Sequence, residues 1–580
     1  MTRVRPQLSP NAQYILEQRY LLRDEQGRII ETPEQMFRRV AGELAKAEEQ
    51  YGASSEQVKE TEERFYEVMA RLDFLPNSPA LMNAGTSRPQ LAACFVREVP
   101  DSIEGIFKEL QAAALIFQSG GGVGFDFSAL RPEGDPVVTS GGQASGPVSF
   151  MNVFNASADA IKQGGRRRAA MMGVLRVDHP DILKFIRAKQ YGGQLENFNI
   201  SVAVTDAFME AVKADREYEL RHPRTGEIVG RLSAREVFDA ICECAWARGD
   251  PGILFIDRIN ESNPIPSQTI RATNPCAEVP LGHGEACVLG HVNLGHFVKE
   301  GDHPTIEWAR LEEVVRVGVR MLDNMHDRSI YPVPDIKGAA LANRRIGLGV
   351  MGWADMLIEL GIPYDTEQAV SLGEKVMKFI NETAINESRR LARERGPFPN
   401  WLESIYAQRG EPPRRNATVT TVAPTGTTAM IAGASSGIEP LFAVAETRTT
   451  PLGTFVTIHP LFEKIARQRG FYSEQLMLKV INHGRIQDLE EIPEDVRRLF
   501  VTTLEIAPEW HLRMQAAFQR HTENSISKTV NLPPEATVDD VRRIFMMAYD
   551  LKLKGVTVYR YGTHEHQVLH LGLAERLAEW

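Results

Sequence analysis

Hydrophobic and polar positions alternate along this chain with two periods, and the period changes several times. Over 33–72, Ala, Glu, Lys and Arg interleave with apolar positions such as Phe37, Val40, Ala41, Leu44 and Ala45. That spacing predicts helix. The same period predicts helices over 106–117, 237–247, 309–326, 348–361 and a long charged one near 366–396. Short apolar or β-branched runs predict strands: 91–96, 417–423 and 555–562. Between them lie turn-rich stretches, among them 75–85, the Gly/Pro/Ser-rich 131–147, and 263–269, whose two prolines argue against helix. Ser78 precedes Pro79, so extended backbone is expected at its hydroxyl.

Composition narrows the class. A chain of 580 residues with 43% hydrophobic and 24% charged content is that of an ordinary soluble globular protein. Its length allows about four domains, or fewer if one is a large barrel. The net charge of −10 argues against a general nucleic-acid binder. Met1 to Tyr20 lacks the apolar core of a signal peptide, and no run of about 18 apolar residues could span a membrane. Five cysteines are too few for a disulfide scaffold. A reducing cytoplasm is the expected home, where a disulfide would serve catalysis.

Candidate chemistry gathers at Asn274-Pro275-Cys276-Ala277-Glu278, with Cys287 eleven residues beyond Cys276. Extended backbone would point Asn274, Cys276 and Glu278 to one side. An amide can hold a hydroxyl, a carboxylate can take its proton, and a thiol can do nucleophilic or one-electron chemistry. A structural cysteine beside a solvated glutamate is the alternative. Cys94, in the 91–96 run, reads by itself as core packing, and Cys242 and Cys244 read as structural cysteines in a helix.

Three other places invite a ligand. Ser119-Gly120-Gly121-Gly122-Val123-Gly124 permits close approach of backbone to a ligand, but it follows a helix and is no dinucleotide fingerprint. Gly164, Gly165, Arg166, Arg167 and Arg168 suit a mobile loop meeting phosphate or a base, or an ordinary basic turn. Pro424-Thr425-Gly426-Thr427-Thr428, after a strand pattern and before a probable helix, could present N–H groups and hydroxyls to a phosphate. Asp101 and Ser102 read first as caps of the next helix.

Taken together and in this order, the pieces resemble the catalytic chain of ribonucleotide reductases, over about 10–570. The marks are Asn77-Ser78-Pro79 with Cys94, Asn274-Pro275-Cys276-Ala277-Glu278 with Cys287, and Pro424-Thr425-Gly426-Thr427-Thr428. The resemblance implies a ten-stranded α/β barrel of two five-stranded parallel halves over 76–570, with a finger loop inside. A mainly helical segment, 1–75, would precede it and a short tail, 571–580, would follow. It implies that Cys276 becomes a thiyl radical and takes the 3′-hydrogen of a ribonucleotide. Glu278 would accept the 3′-OH proton, Asn274 would hold the substrate hydroxyls, and Cys94 with Cys287 would supply two electrons and end as a disulfide. Substrate contacts are expected at Ser78, Ala93, Gly122 and Pro424, Thr425, Gly426, Thr427 and Thr428. A deoxynucleoside triphosphate effector is expected at Asp101, Ser102, Ile103 and Arg131, coupled through the 164–168 loop.

Within the family, the chain looks most like the adenosylcobalamin-dependent class. The adjacent tyrosine pair of relatives with a separate radical subunit is here Tyr559-Arg560-Tyr561, so adjacency is broken. A large subunit of such a two-protein reductase is the alternative, and a non-catalytic nucleotide- or zinc-binding protein a distant one. No cysteine follows Cys287, which points to an external, thioredoxin-like thiol reductant, and the N-terminus is too short for an ATP-cone. A homodimer is expected, with no nucleic acid or membrane partner. His291 stands where relatives carry a small polar residue. Cys276, His283 and Cys287 could loosely imitate a zinc site, but their spacing is loose and no metal is expected.

Overall fold

The structure, a computed structural model, describes residues 4–137, 141–162, 169–450, 453–563 and 569–571. The 164–168 loop lies outside the described residues. Three helices open the chain: α1 (Pro10–Arg19), α2 (Pro33–Ala45) and α3 (Ser55–Ala70). Each starts at a hydroxyl N-cap, Ser9, Thr32 and Ser54, and the last two form capping boxes with Gln35 and Gln57. The predicted 33–72 helix is thus broken in two, and Gly52, at φ 83°, makes the break.

These helices are bolted to the rest by buried charge. Glu48 accepts from Arg320, Asn324 and Arg395 at 2.7–2.9 Å. Asp323 next to it accepts from Arg344, Arg395 and Asn416. Burial alone would raise the Asp323 carboxyl, but the Arg344, Arg415 and Arg395 guanidiniums together hold it below the usual range.

A strand, β1 (Phe74–Pro76), runs into the short helix α4 (Ser78–Asn83). The expected extended backbone at Ser78 is therefore a first helical turn, because the Asn77 side chain caps it by accepting from Ala80 N at 3.0 Å. Then come β2 (Cys94–Glu98), helix α5 (Ile103–Gln118), β3 (Gly122–Asp126), helix α6 (Gly146–Lys162), β4 (Met171–Arg176), β5 (Phe198–Val204) and β6 (Gly252–Phe255). β2 to β6 pair in that order, all parallel, and make five strands of one half. A two-residue ladder, β7 (Ala272–Thr273) with β8 (Pro280–Leu281), carries a six-residue loop.

The second half starts at β9 (Ala286–Asn293), which pairs parallel with β10 (Ile346–Met351). β10 continues through bridges Leu348 to Thr420 and Val422 to Ile526 into β11 (Thr529–Leu532), which pairs parallel with β12 (Gly555–Arg560). The halves meet antiparallel at β9/β2 and at β6/β12, and with the bridged segment 420–422 counted between β10 and β11 the ring closes as ten strands. The barrel of two five-stranded parallel halves expected from the sequence is present.

One predicted helix is replaced. The 348–361 pattern is strand to Met351 and helix only over Trp353–Glu359. Every residue of β10 is buried, so a strand covered on both faces reads as a continuous apolar run and loses its alternation.

Side-chain alternation separates the two faces of the barrel wall. Phe95, Val123, Phe125, Ile200, Val202, Val288 and Val292 pack outward against the helices. Cys94, Val96, Met172, Ala203, Leu254, Cys287, Leu289 and Ala423 pack inward. Outside, the Phe125 ring meets Phe154 of α6 edge-on at 4.9 Å, a pair worth about 0.5–1.5 kcal/mol beyond its burial.

Candidate active site

The loop between β7 and β8 enters the barrel as a finger. Ala277 N donates to Asn274 O at 3.0 Å, closing a turn over Asn274–Ala277, and Ala277 takes φ 64°. Extended alternation is therefore replaced by a tight turn. Asn274 and Glu278 are buried, while Cys276 is exposed at the tip. The αL residue Ala277 breaks the extended alternation between Cys276 and Glu278, and both groups stay close enough to Cys94 to raise its pKa.

The finger is held from all round the wall. A side chain at Gly124 would fall on the Thr273 carbonyl oxygen, and one at Gly122 would meet Pro275 at 2.9 Å. The glycine run thus makes room for the chain's own finger. Asn199 on β5 donates to Pro275 O at 2.9 Å. Across the ring, Thr421 Oγ1 donates to Glu278 O at 2.7 Å, and Ser525 N donates to the same oxygen at 2.9 Å. Asn199, Thr421 and Ser525 escaped the sequence reading, because nothing local marks a residue that contacts a loop scores of positions away.

Two buried cysteines face the finger. Cys94 and Cys287 stand opposite each other in the β2/β9 register. The Asn274 amide donates to Cys94 Sγ at 3.1 Å and accepts from Val279 N at 2.9 Å. Burial pushes the Cys94 thiol well above its usual pKa, Glu278, Cys287 and Cys276 add to this, and the Asn274 amide opposes it. Burial likewise pushes up Cys287, against the opposing charge of Arg345. Both thiols keep their protons at neutral pH. Cys242 and Cys244 lie buried in the helix Ala234–Arg248, on the outer side, as the sequence suggested.

At the rim, helix α7 (Gly426–Ala432) starts at Thr425, which adopts φ 56°. Thr425 Oγ1 accepts from Gly437 N at 2.8 Å, and Thr428 Oγ1 donates to Thr425 O at 3.2 Å. These hydroxyls shape the turn. Gly426 is exposed and Thr427 half-buried, so they and the first N–H groups of the helix face outward. Pro424 is half-buried beside them and follows Ala423 of the inner cluster. Helix α7 packs on α1, β1 and β9. Ser78 bonds Tyr20 there at 2.8 Å, while Ala93 O accepts from Gly122 N at 2.9 Å beside the cysteine pair. All these residues are at one end of the barrel, the carboxyl end of the second half.

Asp101, Ser102, Ile103 and Arg131 lie at the other end, after β2 and β3. Ser102 caps α5 by accepting from Gly105 N at 3.1 Å. Asp101 is no cap: its carboxylate accepts from Arg131 Nε at 2.9 and 3.2 Å and from Arg131 N at 3.1 Å. The carboxylate is drawn off the helix because a guanidinium is a stronger donor than a backbone N–H. Ile103 is 63% exposed.

The histidines near the finger go separate ways. His283 Nδ1 accepts from Glu98 N at 2.9 Å, His296 pairs with Asp73 at 3.0 Å, and His291 is buried, its pKa lowered to about 4 by that burial. No group of three or more His, Cys, Asp or Glu side chains among the described residues is placed to hold a metal ion.

A closed α/β barrel with an inserted finger, an exposed thiol at its tip and a buried dithiol beside it defines a thiol-based redox enzyme. The family description "Ribonucleotide reductase, barrel domain" matches residues 92–414 and 411–559, and "Ribonucleotide reductase, all-alpha domain" matches 6–89. The chain belongs to the ribonucleotide reductase family. It is 50% identical over 564 residues to a vitamin B12-dependent ribonucleoside-diphosphate reductase of Mycobacterium tuberculosis (strain CDC 1551 / Oshkosh), covering 97% of this chain and 80% of that one. It is 46% identical over 624 residues to the protein of the same name from Thermoplasma acidophilum, covering 98% and 81%. Among solved structures, the Actinobacillus ureae class Id ribonucleotide reductase alpha subunit has the same fold, with a TM-score of 0.78 and 24% identity, covering 96% of this chain and 97% of that one.

Proposed function

We propose that this chain is an adenosylcobalamin-dependent ribonucleotide reductase that acts through Cys276, Glu278, Asn274, Cys94 and Cys287. The observation that carries the reading is the Asn274 amide on Cys94 Sγ, which ties the finger to the dithiol. Adenosylcobalamin, when bound, supplies the radical chemistry that starts turnover. Cys276, exposed at the finger tip, takes the 3′-hydrogen of the ribose as a thiyl radical and returns a hydrogen at the end. Glu278 accepts the 3′-OH proton while Asn274 orients the hydroxyls. The 2′-oxygen leaves as water. Cys94 and Cys287 together give two electrons and two protons and join as a disulfide. The sum is ribonucleotide plus dithiol giving deoxyribonucleotide, disulfide and water.

The residues present suit that cofactor. The thiol is exposed, and so is Asn199, whose amide holds Pro275 O beside it. Ribonucleoside diphosphates are the proposed substrates, following the names of both bacterial and archaeal relatives. Their phosphates sit on Gly426 and Thr427 at the start of α7, with Pro424, Thr425 and Thr428 shaping the turn and Ser78, Ala93 and Gly122 lining the pocket. Thr427→Val raises KM more than it lowers kcat, because that contact is felt equally before and at the transition state.

A deoxynucleoside triphosphate at Asp101, Ser102, Ile103 and Arg131 selects the base. Ion pairing with Asp101 holds Arg131 ready, and Asp101→Asn changes the product ratio from mixed ribonucleotides with each effector. The homodimer uses α5 and α6, which expose Ile103, Phe107, Leu115 and Val153. An external dithiol re-reduces the cysteine pair, and the five free thiols fit a reducing cytoplasm. No helix among the described residues is long and apolar enough to cross a membrane.

The test is an anaerobic assay with a ribonucleoside diphosphate, adenosylcobalamin and a dithiol, and no second protein. Deoxynucleotide is the expected product. Turnover only after a partner protein is added would move the chain to the two-subunit class.

A further inference from the structure

Thr425 opens the phosphate turn from the left-handed region, at φ 56°. A β-branched residue is disfavoured there, because its Cβ crowds the following carbonyl. Such a conformation persists only where the surroundings impose it. Here the Thr425 hydroxyl is held by Gly437 N at 2.8 Å. Gly437 comes that close because it has no side chain: a Cβ there would lie 2.9 Å from Ala423 O.

Segment 435–439 is fastened at both ends by carboxylates. At one end Asp355, in the helix Trp353–Glu359, accepts from Ser435 N at 2.7 Å, and its other oxygen pairs with His459 Nε2 at 3.0 Å. At the other end Glu439 Oε1 accepts from Thr529 N at 2.8 Å, and Oε2 accepts from Lys528 Nζ at 2.5 Å. The Lys528 side chain is fully buried. Its ammonium also donates to His511 Nδ1 at 2.9 Å and to Thr529 O at 3.3 Å. His511, in the helix Pro508–Gln519, therefore carries its ring hydrogen on Nε2, which faces Thr503 O at 3.2 Å. An ammonium with all three hydrogens directed in this way has one orientation. A buried ion pair adds little net stability, because desolvation offsets the attraction, so fixing geometry is the role left to it. The same stretch grips the finger: Ser525 N holds Glu278 O, and Ser527 N donates at 2.8 Å to Val422 O, two residues before Pro424.

We propose that Lys528 and Glu439 are positioning residues for the substrate phosphates. Their pair pins segment 435–439, so that Gly437 N keeps Thr425 in the left-handed turn that presents Gly426 and Thr427. This rests on the phosphate placement given above. Neither residue touches the substrate, and both act through Thr425.

Steady-state rates with a ribonucleoside diphosphate test this. Lys528→Met and Glu439→Gln should each raise KM about tenfold, the worth of one hydrogen bond, and move kcat less. Thr425→Val, which removes the acceptor, should do the same, and Thr425→Ser should restore the parental KM. Combining Thr425→Val with Lys528→Met should add nothing further, because one effect runs through the other. A lysine that served stability alone would give additive changes instead. Additive changes, or an unchanged KM in folded Lys528→Met or Glu439→Gln protein, would overturn the positioning role. Should Lys528→Met fail to fold, Glu439→Gln keeps the acceptor for Thr529 N and carries the same cycle. Thr427→Val separates this inference from the reading beneath it. If Thr427→Val also leaves KM alone, the phosphate placement fails; if it raises KM while the Lys528 and Glu439 variants do not, only the positioning role fails.

Discussion

Cys94 and Cys287 stand directly opposite each other where the two halves of the barrel meet antiparallel. Directly opposed residues in an antiparallel pair have Cβ atoms about 4.5–5.5 Å apart, so a small adjustment joins the sulfurs. Mixing reduced enzyme with substrate and cofactor for one turnover, without reductant, should yield a Cys94–Cys287 disulfide on peptide mapping. Recovery of both thiols free, with product formed, would exclude the pair as the electron source.

Cys276 is the one exposed cysteine among five. Burial raises the pKa of Cys94, Cys242, Cys244 and Cys287, so they react slowly as well as being covered. Brief iodoacetamide treatment of the folded protein near neutral pH should label Cys276 alone and stop turnover. Cys276→Ser should lose all turnover and keep the parental melting temperature within about 1 °C, because the site is on the surface of the lumen. Labelling first at Cys287 would contradict the burial.

Gly124 has no room for a methyl group, since the Thr273 carbonyl occupies that space. Gly124→Ala should cost about 1–3 kcal/mol by overpacking and displace the finger, with activity lost beyond what the stability change explains. Gly338, in the helix Pro334–Asn343, has nothing near the place of a Cβ. Gly338→Ala should stabilise by roughly 0.5–1 kcal/mol and leave kcat alone. Denaturant melts and steady-state rates on the pair check both halves of this expectation.

Lys554 donates to the carbonyls of Glu523 and Asn524 at 2.7 Å, just before Ser525 grips Glu278. Burial, with Arg345 assisting and the Glu523 carboxylate opposing, lowers its pKa to about 7. The unfolded chain keeps that proton up to about pH 10.4. Between those values the unfolded state binds more protons, so stability rises with pH, and the gain is lost as pH falls towards 7. Relative to Lys554→Met, the parent should gain at most about 2.7 kcal/mol of unfolding free energy from pH 7 to 9. Urea melts at both pH values measure it. A pH-independent difference would mean that the ammonium stays charged in the fold.

Much of this protein was legible in the chain itself. Local spacing fixed the long helices, as in Glu367–Arg395, because a 3.6-residue period needs only neighbours to be read. The order of Cys94, the Asn274 to Glu278 run, Cys287 and the Thr425 turn identified the family and, through it, the ten-stranded barrel. What the sequence could not contain were relations between distant residues. The 348–361 pattern predicts helix where β10 runs, because burial on both faces erases the strand's alternation. The local pattern alone offers Asp101 as a helix cap, whereas its carboxylate is held by Arg131, thirty positions away in the chain. The glycines at 122 and 124 make room for the chain's own finger, and the turn at Ala277 replaces the extended backbone that the local sequence suggests. Sequence carries periodicity and chemical type. Which face of the wall a residue takes, and what stands opposite it, exists only once the ring has closed.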